Sequence, residues 1–479
     1  MTRLRGFIGG GYTLRSLNVE CQRCVNLYPE VDESQNAADG EVAALVTTPG
    51  LRLLGTCGNG PIRALFVTST GGMIVVSGPE VYRVGTNWAF TKIGDLKTNT
   101  GRVSIADNGV QACLVDGVNG YIISFATAAL TPITSAGFPG GNTVIFNGSY
   151  FLVNNPGTNQ FARSASWDGL TWDALDFISA EANPDAVVGV LDFKNQVAVL
   201  GQKTVEFFWN SGTDTTYSRI DGSLIEYGCG APQTAVKFAN TMLWVGGGNT
   251  GAGIVWQAEG YVPKRISNHG VELAIQGYGD IWNATAWVYQ ENGHAFYVLN
   301  FPNAQASWAY DISTGQWHER CYLGLDGNFE RHRAECYAFG FNTHVVGDYE
   351  NGNLYALDNN TFTDNGRARK WMRRAPHISA NGRRLFYSKA QLMAQVGYGL
   401  DGSPAVGVDP QVELRYSDDY GHTWTAPRAT SLGRQGEYAK RVIWRQLGQS
   451  RNRVFEVSGS DPVPVALMGL ELDAAPGAN

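Results

Sequence analysis

Few residues of this chain have the types and spacing that enzyme chemistry requires. The seven His residues contain no H-E-x-x-H motif and no close pair at the spacing of metal ligands. Cys21 and Cys24 form one C-x-x-C motif without a second pair, so zinc or redox chemistry has little support. Neither a G-x-S-x-G motif nor a P-loop occurs, and no two carboxylates stand out as a glycosidase pair. We therefore predict no catalytic residue, no cofactor and no metal.

One glycine-rich stretch has the spacing of a nucleotide-binding turn. Residues 246–251 match G-x-G-x-x-G and follow the apolar run 242–245. A dinucleotide site needs a helix directly after the glycines, because the pyrophosphate binds at the helix N-terminus. The residues that follow, 254–257, are typical of another strand. The motif therefore predicts a turn between strands.

A second motif combines a hydroxyl, a carboxylate and an indole. Ser417, Asp419, Gly421, Thr423 and Trp424 match S-x-D-x-G-x-T-W, which resembles the Asp-box hairpin. The Ser and Asp oxygens can accept hydrogen bonds from the turn backbone, while the Trp anchors the hairpin in the core. We predict a structural role for these five residues.

Charge is distributed unevenly along the chain. The net charge is −7, yet residues 367–455, the basic segment, contain 16 Lys and Arg against 6 Asp and Glu, which gives +10 and leaves −17 elsewhere. Such a segment suits an acidic partner, either a neighbouring subunit or a phosphate backbone, although a solvated face without a partner explains it equally well. The candidate interface residues are Arg373, Arg374, Arg383, Arg384, Arg441, Arg445, Arg451 and Arg453.

The elements that position these residues are short strands. Charged residues make up only 16% of the chain and Gly numbers 59, which favours an all-β fold with many turns. Residues 187–190, 196–200 and 204–209 are β-branched and aromatic runs separated by short turns, as in an antiparallel meander. Similar meanders recur at spacings of roughly 40 to 50 residues, the period of propeller blades. We predict a β-propeller of six or seven blades over residues 61–365.

The two flanking segments differ from the propeller. Residues 1–60 have few strand signals and are punctuated by Pro29, Gly40 and Pro49, so we predict an extended N-terminal arm lying against the propeller or a neighbouring chain. Residues 366–479 begin with a basic link and continue with about five alternating strands, which predicts a C-terminal β-sandwich. No apolar run suits a signal peptide or a membrane span, so we expect a soluble protein assembled in the cytoplasm, without a membrane partner.

Several stretches resemble the tail hub proteins of short-tailed bacteriophages, a family also described as packaged DNA stabilisation or tail accessory (nozzle) proteins. The similarity lies in residues 101–120, 183–212 and 438–473. It implies a non-enzymatic component of the virion tail, assembled in the host cytoplasm as a hexameric ring below the portal and its adaptor ring. Such a ring would retain packaged double-stranded DNA, conduct it during ejection and carry tailspike, fibre or needle proteins. The Asp box leaves a glycan-binding or sialidase-like propeller as the alternative.

The charge distribution agrees with a role as a conduit. A mostly acidic chain would let the polyanionic DNA slide instead of gripping it. The basic segment could then dock on an acidic surface of the adjoining adaptor ring, and we favour protein over DNA as its partner.

Overall fold

The computed structural model describes residues 1–32, 43–183, 185–212, 216–247, 253–402 and 406–477. Short strands account for most of the regular structure. Within these residues there is one α-helix, His269–Gly277, whose N-cap Asn268 accepts a hydrogen bond from the Val271 N–H, and two 3₁₀ turns at Pro232–Thr234 and Pro302–Ala304. None of the described helices is long and apolar enough to cross a membrane.

Seven four-stranded antiparallel sheets form a closed propeller. Within each blade the strands pair in chain order, as the meander pattern predicts, except for the outer strand of the last blade. The first strand of every blade packs against the first strands of both neighbours, and Ala334–Gly340 of the last blade returns to Ile62–Val67 of the first. The prediction of a six- or seven-bladed propeller is therefore confirmed, with seven blades.

The strands of the seven blades are as follows. Blade 1 contains Ile62–Val67, Met73–Ser77, Glu80–Val84 and Phe90–Asp95, and blade 2 contains Ser104–Asp107, Gln111–Val115, Gly120–Ser124 and Leu130–Pro132. Blade 3 contains Val144–Asn147, Tyr150–Asn154, Gln160–Ala165 and Asp168–Ser179, and blade 4 contains Val187–Phe193, Gln196–Gly201, Val205–Asn210 and Tyr217–Arg219. Blade 5 contains Val236–Phe238, Thr241–Val245, Val255–Glu259 and Val262–Arg265, and blade 6 contains Thr285–Glu291, His294–Phe301, Ala306–Asp311 and Gln316–Glu319. Blade 7 contains Ala334–Gly340, Thr343–Asp348, Asn353–Asp358 and Gly50–Thr56.

Turn chemistry and apolar burial explain why the blades form. Lys194 and Asn195 both have positive φ in the tight turn of blade 4, and Asn292 and Gly293 do the same in blade 6. Between the sheets, buried side chains form apolar clusters, each drawn mainly from two neighbouring blades. Trp244, fully buried in one such cluster, satisfies its indole N–H by donating to the Gly228 carbonyl at 3.2 Å. Each blade therefore buries its faces against the next, which no single meander can do alone.

The N-terminal segment, predicted as an extended arm lying against the propeller or a neighbouring chain, supplies strands to both domains. Gly50–Thr56 is the outermost strand of blade 7 and pairs antiparallel with Asn353–Asp358, so the two ends of the propeller sequence meet in one sheet. Cys21–Val25 and Leu27–Val31 join the two sheets of the C-terminal domain. Cys21–Val25 and Gly50–Thr56 pair with strands more than 290 residues away, a relation that local patterns do not reveal. Leu27–Val31 pairs with the nearby strand Ala43–Thr47.

Two sheets form the C-terminal sandwich, which begins in this segment. The first sheet contains Leu27–Val31, Ala43–Thr47, Ala466–Pro476, Leu385–Ala394 and Val442–Arg445, with Thr2–Arg3 and Gln449–Ser450 at its margins. The second contains Cys21–Val25, Trp371–Arg374, Asn452–Gly459, Gln411–Ser417 and Arg428–Ser431, with Tyr12–Thr13 and Ile378–Ser379. The short hairpins Cys321–Leu323 with Phe329–Arg331 and Thr363–Asp364 with Arg367–Ala368 complete the strands.

The sandwich lies beside blades 6 and 7. Cys21–Val25 pairs in parallel with Gln316–Glu319, the outer strand of blade 6, so this sheet continues from one domain into the other. Thr363–Asp364 pairs in parallel with the closing strand of blade 7. Shared backbone hydrogen bonds therefore hold the two domains in a fixed relation.

Candidate interaction surface of the C-terminal domain

The Asp box forms the predicted turn. The Asp419 carboxylate accepts hydrogen bonds from the Thr423 hydroxyl at 2.6 Å and the Thr423 N–H at 2.8 Å. The Ser417 hydroxyl donates to Asp419 at 2.7 Å and accepts from the Gly421 N–H at 2.8 Å. The hydrogen bonds that Asp419 accepts, chiefly from Thr423 and to a smaller extent from Ser417, hold the pKa of its carboxyl well below the usual range. All of these contacts stay within one turn, as expected for a structural motif.

The sequence predicts that Trp424 anchors the hairpin in the apolar core, and the structure corrects this. Its side chain is half-buried, and its indole N–H donates to the Gly421 carbonyl at 3.1 Å. Its ring packs against the guanidinium groups of Arg374 and Arg415, which lie 4.5 and 5.0 Å from the ring centroid. Both arginines bind the buried carboxylate of Glu456, at 2.8 and 2.5 Å. Trp424 therefore covers a buried ionic network, so Arg374 has a structural partner inside the domain.

Arg453 is internal, which corrects its assignment to the interface. Its guanidinium forms two hydrogen bonds with Asp418, at 2.6 and 2.8 Å, and stacks on Tyr416 at 3.9 Å. Its side chain is 1% exposed. A guanidinium buried in this way can offer nothing to another subunit without unfolding of the strand that carries it.

Arg373 is also internal and fixes the N-terminal segment. Its guanidinium donates to the carbonyl oxygens of Gly6, Phe7 and Gly10 at 2.6, 2.7 and 2.9 Å, and to Gln22 Oε1 at 2.7 Å. Its exposed fraction is 0%, and burial lowers the pKa of this group. The interface assignment of Arg373 is therefore corrected as well: the N-terminal segment wraps the residue completely.

The other five candidate arginines are exposed. Arg383, Arg384 and Arg451 surround the turn after Ile378–Ser379, and Arg384 and Arg451 line one side of a cavity of about 390 Å³. Arg441 and Arg445 flank and end the strand Val442–Arg445. Five residues of the strand Leu385–Ala394 separate the two groups, which corresponds to roughly 16 Å. The basic segment thus presents two separate basic groups instead of one continuous face.

These arginines also have a simple structural explanation. Val442–Arg445 is the last strand at one side of its sheet, and Arg428–Ser431 is the last strand of the other sheet. Arg428 connects the two edges, since its guanidinium donates to the backbone carbonyls of Arg445 and Gln446 at 2.8 and 3.3 Å. Charged side chains on an edge strand also prevent uncontrolled pairing with other strands. Sequence reasoning missed Arg428 and the carboxylates of Asp418 and Glu456, because only the fold pairs them.

The chemical motifs of the sequence lead to no catalytic arrangement in the described residues. Cys21 and Cys24 are three positions apart on one strand, so their side chains leave opposite faces, and burial raises their pKa to about 11 and about 12. All seven Cys are buried and free. The described residues contain no group of three His, Cys, Asp or Glu that could hold a metal ion. Part of the glycine motif 246–251 lies outside the described residues.

A cavity of about 370 Å³ lies near the propeller axis, where the first strands of several blades begin. Several of its charged side chains bind each other or the backbone. Arg331 pairs with Glu335 at 2.5 Å, and Arg63 donates to the carbonyl oxygens of Gly101 and Thr100 at 2.6 Å each. The carboxylates of Asp168 and Asp173 likewise accept hydrogen bonds from backbone N–H groups two residues further on, at 2.9 Å. These groups support local structure.

Comparison with known families agrees with this two-domain architecture. A family model described as "Bacteriophage P22 Gp10, beta-propeller" matches residues 9–362, and one described as "Bacteriophage P22 Gp10, beta-sandwich" matches residues 370–475. The chain therefore belongs to the P22 Gp10 family of bacteriophage proteins. Among curated proteins it is 20% identical over 448 residues to the tail hub protein gp10 of Salmonella phage P22, a match covering 86% of this chain and 88% of that protein.

Similarity to solved structures is weaker. The extracellular domain of a one-component system protein of B. thetaiotaomicron matches with a TM-score of 0.44 and 9% identity, over 81% of this chain and 48% of that one. The β-propeller domain of Myceliophteria thermophila Cps50 (Swd1) matches with a TM-score of 0.42 and 8% identity, over 64% of this chain and 98% of that one. Neither similarity informs the function.

Proposed function

We propose that this chain is a structural tail hub component of a short-tailed phage virion and resides in the virion tail. The observation that carries the proposal is the match of both domains, in the same order, to the P22 Gp10 family, together with a full-length relative that is a tail hub protein. The role is structural: the subunit contributes shape, rigidity and surfaces for assembly, and no reaction.

The proposed assembly is a homo-hexameric ring formed in the host cytoplasm. The ring retains packaged double-stranded DNA, conducts it during ejection and anchors tailspike, fibre or needle proteins. Two features support this role. A closed propeller that shares a sheet with its neighbouring domain is a stiff building block. A net charge of −17 outside the basic segment disfavours tight binding of a polyanion, so DNA can pass.

The exposed group Arg383, Arg384 and Arg451 is the proposed contact with the adaptor ring. These side chains project around one turn and one cavity, where a partner with an acidic surface can approach. A cationic surface that meets an anionic one gains mainly in association rate and specificity. Arg373, Arg374 and Arg453 take no part in this contact because their guanidinium groups are buried or nearly so inside the domain.

Labelling the subunit in assembled virions tests the proposal. We expect electron density for the label at the tail below the portal, and native mass spectrometry of isolated tails should give about six copies of the chain. A virion in which the label is absent from the tail would overturn the tail hub role. Turnover of receptor glycans by the purified chain would overturn the non-enzymatic part alone, so the two outcomes are distinguishable.

A further inference from the structure

The outer edge of blade 3 is acidic and carries exposed apolar side chains. Residues 165–183, here called the acidic edge, contain Asp168, Asp173, Asp176 and Glu181 and no Lys or Arg. Asp176 pairs with Arg163 of the same blade at 2.7 Å, whereas Asp173 and Glu181 are exposed. The acidic edge therefore presents negative charge on one side of the propeller.

The apolar part of this edge is unusually open for a strand. Leu175 is 82% exposed and Phe177 is 44% exposed. The strand Asp168–Ser179 is the last of its sheet and pairs with Gln160–Ala165 through two register shifts, which push residues 173–176 outward. An exposed apolar edge strand is a site at which another chain can bind, unless charges oppose it.

A complementary edge exists on the sandwich. Residues 438–445, here called the basic edge, contain Lys440, Arg441 and Arg445 and no carboxylate. Lys440 pairs with Glu437, just before the edge, at 3.5 Å, so Arg441 and Arg445 supply most of its positive charge. Tyr438 at its start is 65% exposed. The strand Val442–Arg445 ends its sheet, as Asp168–Ser179 ends the sheet of blade 3. Each edge therefore combines charge of one sign with an exposed apolar or aromatic side chain.

The two edges lie on opposite sides of the subunit. The sandwich is attached to the outer strands of blades 6 and 7. Contacts between the first strands of neighbouring blades give the order of the seven blades around the circle. Counted in one direction, blade 3 is three blades from blade 6. Counted in the other direction, through blades 2 and 1, it is three blades from blade 7. The two edges of one subunit consequently cannot meet each other, but each can meet the opposite edge of another copy.

We propose that the acidic edge of blade 3 binds the basic edge of the sandwich of a second copy of this chain. The contact is heterologous, which means that two different surfaces meet and every subunit has one of each. It rests on the proposed ring, for which it supplies the contact between neighbours. Opposite charges surround the apolar contact of Leu175 and Phe177 with the partner, so like edges repel and only unlike edges bind.

Charge reversal in the full chain tests this contact. The double variant Arg441→Glu, Arg445→Glu makes the basic edge acidic, and the triple variant Asp173→Arg, Leu175→Arg, Glu181→Arg changes the net charge of the acidic edge from −4 to +1. Each variant alone is expected to weaken self-association at least about tenfold, measured by sedimentation velocity at low salt. An equimolar mixture of the two should associate again, because each edge then finds an opposite one.

Matched controls carry changes of the same kind at other exposed positions. Val262→Arg with Glu259→Arg alters an apolar and an acidic residue on the outer hairpin of blade 5, and Arg383→Glu with Arg384→Glu reverses the other basic group. Both should associate like the wild-type chain, and circular dichroism should show that all four variants are folded.

Three results would overturn the contact, and they are separable. A wild-type oligomer that survives both reversals, or a mixture of variants that stays dissociated, refutes this contact and leaves the tail hub role standing. Controls that dissociate as strongly as the edge variants refute its location. A wild-type chain that remains monomeric at low salt refutes the contact together with the self-assembled ring.

Discussion

The blades and the junction between the two domains are stabilised by different interactions. Between blades 4 and 5, side chains such as Phe207, Trp244 and Val188 form an almost wholly apolar cluster. At the junction, charged side chains add hydrogen bonds and ion pairs to the apolar contacts. Arg373 donates to the carbonyl oxygens of the N-terminal segment, and Arg23 binds Glu319 of blade 6 at 2.6 and 2.8 Å.

The difference follows from how each region is built. Each blade repeats the same strand pattern, so the facing surfaces of neighbouring blades are apolar. Burial of apolar surface is a non-directional interaction, so these surfaces need no specific partner atoms. The junction brings together chain ends and edge strands whose carbonyl groups have no sheet partner, and buried carbonyls need donors. Arginine supplies several donors from one side chain, which explains its use there. Loss of one junction arginine should therefore loosen the connection between domains, whereas loss of one core side chain should weaken a blade.

The largest effect is expected in a blade core. Trp244→Ala removes a fully buried indole and should lower the free energy of unfolding by about 3 to 5 kcal/mol. Hydrogen exchange measured by mass spectrometry should show faster exchange in blades 4 and 5 and little change in the sandwich. Faster exchange at the sandwich alone would contradict the view that each blade core is a local apolar unit.

The next largest effect is expected at the junction. Arg373→Met should cost about 3 kcal/mol, because it leaves several buried carbonyl groups without donors. Exchange should accelerate in residues 6–23 while blades 2 to 4 remain protected. The control Arg383→Met changes an exposed arginine and should stay within about 0.5 kcal/mol. Equal losses in both variants would show that Arg373 does not hold the junction.

A pH dependence distinguishes the junction further. Asp364 lies at the junction with blade 7, and burial raises its pKa to about 6. The folded state favours the neutral acid. The protonated Asp364 therefore contributes fully to the free energy of unfolding below the unfolded pKa near 4, and this contribution is lost as the pH rises to about 6. Between these pH values the free energy of unfolding should fall by on the order of 2 kcal/mol, and Asp364→Asn should remove most of this fall. Denaturant unfolding of both proteins at several pH values measures the difference. Identical slopes for both proteins would contradict this assignment.

The smallest effect is expected at the Asp box. Trp424→Ala should cost about 1 to 2 kcal/mol, because the ring is half-buried and stacks on Arg374 and Arg415 instead of filling the core. Trp424→Phe keeps the stacking surface and should cost less. A loss as large as that of Trp244→Ala would place Trp424 among the core residues.

The sequence by itself determined the parts of this protein that depend on local chemistry. Alternating apolar residues and turns such as Lys194-Asn195 define the blades, since strand and turn preferences act over a few residues. The Asp box was predictable for the same reason: Ser417, Asp419 and Thr423 bond within one turn. The alternating strands after residue 366 also indicated a C-terminal β-sandwich, a fold that the family match to residues 370–475 confirms.

Only the tertiary structure decided what depends on distant partners. The closing strand Gly50–Thr56 has too few distinctive residues to be assigned without its partner Asn353–Asp358. The eight candidate arginines are alike in sequence, yet Arg373 and Arg453 are buried while Arg441 and Arg445 are exposed. Burial is a property of the surrounding surface, and the carbonyl groups around Arg373 converge from residues 6 to 23 only when the chain has folded. Charge can be counted along the sequence, whereas the fold determines which charges reach a partner.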